Sequence, residues 1–333
     1  MMKRALLATI VLSSVVVAAG GLWLHHSLWG TRSSGTVEVE IAAGSTAREI
    51  LEKLHAETLL PSVLAGRIYL RTLAPSRPLY YGHYRFPFAS RPVDVLETIL
   101  EGAVKMFTVT VVEGTDVAAI GEQFADLGLG TADEWRGFSQ HVDWISDAAV
   151  KAPSLEGFFF PDTYRFAVGI PAERAAHHLV ERFEEVWSEE ALRTDALWGS
   201  TLEIVTLASL VEAETSLEEE RPLIAGVFAN RLRRGMLLQC DPTVVYALKR
   251  RNEWRGRLLR IHWEVDDPYN TYRHPGLPPG PINSPGRAAL AAAINPQPTP
   301  HLYFVAKPGG GHAFSKTLGE HNRAVARLMS SRR

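Results

Sequence analysis

Thr201 to Leu248 reads TLEIVTLASLVEAETSLEEERPLIAGVFANRLRRGMLLQCDPTVVYAL, and its spacing decides the fold class. Placed on a helix, Ile204, Leu207, Leu210 and Val211 fall on one apolar stripe, and Glu214 comes next on it. Glu212 lies about 200° round the helix from Glu214, so one of the two acids is expected to face inward. A carboxyl at the end of an apolar stripe is desolvated, which raises its pKa and lets it hold a proton near neutrality, as a general acid must. The competing reading takes Glu212, Glu214, Glu218, Glu219 and Glu220 as a solvated acidic helix end. A second helix is expected over Arg221–Leu232, and the Arg231, Arg233, Arg234 run reads as its solvated, dipole-stabilised end.

Downstream, Gln239-Cys240-Asp241-Pro242-Thr243 strings hydrogen-bonding side chains before Val244, Val245 and Tyr246. Amides, hydroxyls and rings are what a sugar-binding cleft needs, because a sugar offers many hydroxyls and one flat apolar face. Asp-Pro-Thr is equally ordinary helix-entry chemistry. Tyr269-Asn270-Thr271-Tyr272 leads into the proline-rich Gly276–Gly286 loop, which contains Asn283, and such a rigid loop either frames a site or crosses the surface. Leu155 to Phe166 joins five aromatics to Glu156 and Asp162; burial in a core is the simplest fate of Phe158–Phe160. The single cysteine, Cys240, has no positioned histidine nearby and reads as incidental.

Outward from this region the chain is a mixture of short strands and long helices, the α+β class. Val37, Val39 and Ile41 alternate as a half-buried strand, Gly44-Ser45-Thr46 turns, and Ile50, Leu51 and Leu54 continue at helical spacing. Thr108–Val112, Glu113-Gly114-Thr115 and Ile120 with Phe124 repeat that strand–turn–helix pattern at a constant offset, which suggests an internal repeat. Tyr80–Phe86 reads as a strand, Pro92–Leu100 as a helix ending at Gly102, His177–Val186 as a helix and Leu202–Glu219 as one continuous helix. Residues 36–104 form a small α/β module and 105–330 a larger α+β domain.

At the amino terminus Lys3 and Arg4 precede an uncharged stretch from Ala5 to Leu24. About twenty residues at 1.5 Å each cover the roughly 30 Å hydrocarbon core of a bilayer. The basic pair marks the cytoplasmic side, leaving residues 1–4 as a stub and exporting the rest. Val17-Ala18-Ala19 is an acceptable cleavage site for a signal peptide, but the apolar run continues to Leu24, which favours an anchor. Residues 25–35, rich in Gly, Ser and Thr, read as a tether. With 35 basic and 37 acidic side chains the formal charge is -2, so no positive field of the kind that holds nucleic acid is present. The histidines are scattered and no Cys/His set has zinc spacing, so no metal or other cofactor is expected.

Taken together, LEGFFFPDTY (155–164), ASLVEAET (208–215), VFANRL (227–232), GMLLQCDPTVVY (235–246), YNTY (269–272), GLPPG (276–280) and HLYFV (301–305) resemble, in one order, the endolytic murein transglycosylases of the YceG-like family. The resemblance implies one N-terminal span in the inner membrane, a LysM-like module at 36–104 and a periplasmic catalytic domain at 105–330. It implies cleavage within peptidoglycan glycan strands of the β-1,4 bond between N-acetylmuramic acid and N-acetylglucosamine. The product would carry a 1,6-anhydro end, and peptidoglycan synthases would be partners. The family's catalytic glutamate falls on Glu214, with Glu212 as fallback, and Gln239, Asp241, Thr243, Tyr246, Asn270 and Asn283 become candidates for holding the glycan. Two rivals stay open: a noncatalytic wall-binding scaffold, and a muramidase using Asp241 or Asp162 as a second acid.

Overall fold

The computed structural model describes residues 2–30, 35–42, 44–87, 90–147, 149–194 and 198–330, with 2–8 and 329–330 by backbone only. Among the described residues, helices are joined by three two-stranded ribbons, a mixture of helix and strand. It divides into two compact units, Met1–Thr108 with Arg165–Ile170, and Val109–Tyr164 with Pro171–Arg333.

In the first unit, helix α1 (Met2–Trp29) leads to strand β1 (Val37–Ile41), helices α2 (Ala47–Ala56) and α3 (Val63–Thr72), strand β2 (Gly82–Phe86) and helix α4 (Pro92–Glu101). β1 and β2 pair antiparallel with Val39 opposite Tyr84, and their buried faces join Ile50, Leu54, Leu96 and Ile99 in one core. Thr46 starts α2 with a reciprocal cap to Glu49, and Gly102 ends α4 in the left-handed conformation at φ 68°.

The expected tether differs from what is found. α1 runs five residues past Leu24, and four of the tether's residues, 31–34, lie outside the described residues. Its stretch Thr9–Trp29 is long and apolar enough to cross a membrane, and Val15, Val16, Val17 and Leu22 are exposed. At its end Leu28 is fully buried in the core of the first unit and Leu24 packs against it. That i,i+4 pair gives the last turns an apolar partner, which overrides the polar His25-His26-Ser27. Leu28→Ala is expected to cost this unit about 2–5 kcal/mol. Hydrogen exchange of the α3 and α4 amides in detergent measures it, and Leu22→Ala, on the exposed side, should leave exchange unchanged.

The chain passes between units through the ribbon of β3 (Met106–Thr110) and β4 (Thr163–Ala167), with α5 (Val117–Asp126) and α6 (Ala132–Phe138) between them in sequence. The repeat expected at constant offset is present in local geometry. Gly44 and Gly114 both take positive φ, at 81° and 78°, Thr46 and Asp116 both cap a helix, and Ile50, Leu54, Ile120 and Phe124 are all buried.

The second unit continues with α7 (Ala172–Ala191), α8 (Thr201–Glu214), α9 (Arg221–Arg233), α10 (Asp241–Arg250), α11 (Arg287–Ile294), the hairpin β5 (Tyr303–Ala306) and β6 (His312–Ser315), and α12 (Leu318–Ser330). α8 is its centre, packed by α9, α10 and α11. It stops at Glu214 rather than running to Glu219; a separate short 3-10 turn covers Glu218–Glu220. The single stripe read from sequence is also too narrow. Val205, Thr206, Ala208 and Ser209 are buried as fully as Ile204, Leu207, Leu210 and Val211, so the helix is enclosed all round from Ile204 to Val211, while Glu203 and Ala213 are exposed. Arg231, expected in solvent, is buried and donates to the carbonyls of Leu302 at 2.7 Å, Leu237 at 3.0 Å and Leu238 at 2.9 Å. It ties α9 to the loop that carries Gln239 and Cys240.

Candidate active site

Ala213 is exposed at the end of α8, yet the carboxyls of both flanking acids leave bulk water, and the expectation that only one turns inward is corrected. They part in what meets them. Glu212 Oε1 receives Arg221 Nη2 at 2.8 Å, with both side chains under a tenth exposed, and its Oε2 accepts the Gly286 amide at 3.0 Å. Glu113 approaches the same guanidinium at 3.5 Å and lies so close over Gly286 that a Cβ there would meet its Oε1 at 1.8 Å; glycine is the residue that fits. Glu212 is thus the anion of a buried, hydrogen-bonded pair.

Glu214, the last residue of α8, is half-buried, and among the described residues none forms an ion pair with it. Desolvation by burial raises its carboxyl above the ordinary range, and the charge of Asp241 adds to this. The Cys240 thiol hydrogen-bonds to it, and His312 and Arg231 act in the opposite direction. Cys240 is buried, and burial together with the Glu214 charge holds its thiol well above the usual value, so it stays a neutral donor. Cys240, incidental by sequence, gains this role because the turn before α10 meets the end of α8.

The other candidates fall into two groups. Gln239 and Asp241 are exposed, Tyr246 is half-buried, and Asn283 is buried with its side-chain oxygen unpartnered. Gln239 holds a left-handed backbone at φ 52°, uncommon for a non-glycine and a mark of a locally constrained loop. Asp241 Oδ1 accepts Tyr272 Oη at 2.6 Å and Trp263 Nε1 at 3.1 Å, and the two rings stack at 5.3 Å. Nothing around Trp263 in the sequence announced it. Asp241, Tyr246, Asn283 and Glu212 line a cavity of about 520 Å³.

Thr243 and Asn270, in contrast, are fully buried and out of a glycan's reach, a correction to their expected role. Thr243 Oγ1 donates to the Cys240 carbonyl at 2.7 Å, and Asn270 Nδ2 to the carbonyls of Trp263 and Val265 while its Oδ1 accepts the Tyr272 amide. They brace the two loops that present Cys240 and the Trp263–Tyr272 stack. Asp162 is also committed, bonded to Arg182 Nε at 2.8 Å. Among the described residues no group of three or more His, Cys, Asp or Glu is arranged to hold a metal.

Glu156, from the aromatic cluster, is a further buried acid. It accepts the Val117 amide at 3.1 Å and the Tyr246 hydroxyl at 3.0 Å. Burial, with the Asp116 charge, pushes it up to about 8. A carboxyl raised in the folded state keeps a proton that the unfolded chain has lost, so its contribution to stability is full below 4.5 and lost as pH rises towards 8. Glu156→Gln keeps an acceptor for both donors. The stability difference between wild type and variant should therefore shift against the wild type by up to about 1.4 kcal/mol per pH unit in that window. Urea unfolding at pH 5, 7 and 9 measures it.

Comparison with known proteins places the chain. The family model described as the YceG-like family matches residues 39–327. A protein of Bacillus subtilis named "Endolytic murein transglycosylase" is 31% identical over 320 residues, covering 90% of this chain and 87% of its own. One of the same name from Streptococcus pneumoniae is 27% identical over 99% of this chain, which spans 66% of that longer relative. The crystal structure of a putative yceG-like protein from Listeria monocytogenes superposes with a TM-score of 0.56 at 28% identity, covering 87% of this chain and 99% of that one. With motifs and fold agreeing over nearly its full length, the chain belongs to the YceG-like family.

Proposed function

We propose that this protein is an endolytic murein transglycosylase that cleaves the β-1,4 bond between N-acetylmuramic acid and N-acetylglucosamine inside a glycan strand, with Glu214 as its acid and base. The observation that carries the reading is the contrast at the end of α8, where Glu212 is neutralised by Arg221 and Glu214 is desolvated without an ion-pair partner among the described residues. The shared name of the Bacillus and Streptococcus relatives supports it. Protonated Glu214 donates to the glycosidic oxygen as the bond to the anomeric carbon breaks. Its carboxylate then takes the proton of the muramoyl 6-hydroxyl as that oxygen closes on the anomeric carbon. The products are a free 4-hydroxyl on one fragment and a 1,6-anhydro end on the other, with no water consumed and one carboxyl serving twice. Gln239, Asp241, Tyr246 and Asn283 hold the glycan, and the Trp263–Tyr272 stack offers an aromatic face to a sugar ring.

In the same proposal α1 anchors the protein in the inner membrane, with Lys3 and Arg4 on the cytoplasmic side and the catalytic domain, residues 105–330, in the periplasm. Residues 36–104 are a LysM-like module, and synthases that extend strands are the partners whose products are cut.

A second reading rests on Asp241, an exposed carboxylate whose charge acts on Glu214. It could activate water and make the enzyme a muramidase. Digestion of purified strands by the full chain in detergent decides among these readings. Anhydro-terminated fragments are expected; fragments heavier by one water would establish hydrolysis, and binding without fragments would establish a scaffold.

A further inference from the structure

A second cleft in the same unit, of about 960 Å³, shares Asp116, Tyr246 and Lys249 with the 520 Å³ cavity. Whatever is held in one is therefore within reach of a branch held in the other. At this volume the cleft takes a ligand of several residues, well beyond one sugar ring. Its lining is basic on balance, with Arg136, Lys249, Arg250 and Arg255 beside Asp116, Glu122 and Glu156, and Asp133 pairs with Arg136. Lys249 is matched by Asp116 at 2.6 Å, but Arg250 lies over the Tyr269 ring at 4.7 Å with its nearest acid, Asp267, at 3.9 Å. Among the described residues Arg255 forms no ion pair. A guanidinium held over a ring has lost part of its rotamer freedom, and its planar fork can take a carboxylate through two parallel hydrogen bonds. Of the acids lining the cleft, Glu156 holds its proton at neutral pH and Asp116 is matched by Lys249, which leaves Glu122 against the two arginines.

We propose that this cleft binds the carboxylate-bearing peptide branch carried by the glycan strand, so that the protein selects strands that keep their peptides. The inference rests on the strand being the substrate. Glycan hydroxyls do not call for two under-matched arginines, whereas a short peptide ending in a carboxylate does.

The test reads binding, so that cutting is a separate outcome. Full-length Glu214→Gln protein in detergent is titrated with strands bearing peptides and with strands stripped of them by an amidase. The peptide-bearing strands are expected to bind about tenfold more tightly, about 1.4 kcal/mol. Adding Arg250→Gln and Arg255→Gln should close that gap, Arg250→Lys and Arg255→Lys should restore part of it, and Arg257→Gln, outside the cleft, should leave it intact. Free peptide at millimolar concentration should compete only with peptide-bearing strands, a readout that needs no rim variant. Equal affinity for the two preparations, a gap that survives the double glutamine variant, or equal loss with Arg257→Gln would overturn the proposal. A peptide-dependent gap together with a wild-type protein that yields no fragments would overturn the catalytic reading and leave this one standing.

Discussion

Glu214→Gln should abolish strand cutting, lowering the rate about 10²–10⁴-fold, the range a positioned general acid–base contributes. The substitution keeps the shape of the side chain and removes only the proton that must reach the glycosidic oxygen and the negative charge that must collect one from the 6-hydroxyl. Because Glu214 has no ion-pair partner among the described residues, no cation is stranded by the change. The variant should fold and bind strands as the wild type does, with kcat carrying the loss and KM little changed. Quantifying anhydro-terminated fragments against bound strand checks both halves; a variant that cuts at the wild-type rate would remove Glu214 from the mechanism.

The pH dependence has a sign fixed by the same environment. Burial raises the Glu214 carboxyl, so its acid form persists above the ordinary carboxylate range. The rate should be sustained below that raised value and fall as pH climbs through it, when the proton to be donated is gone. Cys240 works against burial by hydrogen-bonding the carboxylate. Cys240→Ala should therefore move the falling limb to higher pH.

What could be read from the sequence was local. Gly44-Ser45-Thr46 and Glu113-Gly114-Thr115 announced turns into helices and Gly102 a helix end, and the repeat of strand, left-handed glycine and capped helix needs only neighbouring residues. What could not be read depends on partners far along the chain. Arg231 looks like a solvated helix end until Leu302, 71 residues away, offers its carbonyl. Leu28 looks like part of a tether until the first unit's core receives it. Thr243 and Asn270 have the chemistry of sugar ligands, yet each finds protein partners first, because the loops they belong to fold over them. Burial of a polar side chain is decided by what covers it, and that information lies elsewhere in the sequence.

The opposite outcome is expected for the acid two residues earlier. Removing one partner of a buried ion pair costs about 3–5 kcal/mol, because the other charge is left in a poor solvent. Arg221→Met should incur the whole of that loss, since it leaves Glu212 and Glu113 facing each other; the Glu212 charge already contributes to holding the Glu113 carboxyl above its ordinary range, after burial. Glu212→Gln should fall at the lower end. Glutamine still accepts the Gly286 amide, and Glu113 at 3.5 Å keeps part of the guanidinium's charge matched. Combining the two changes should cost less than their sum, because the double variant leaves no uncompensated pair. Urea unfolding of the four proteins measures this coupling. Set beside Glu214→Gln, the series separates the two acids by kind of effect. Glu214 should govern rate without stability, and Glu212 stability, with rate falling only as far as the folded population does. If Glu212→Gln stays folded but stops cutting while Glu214→Gln still cuts, the roles of the two glutamates are exchanged.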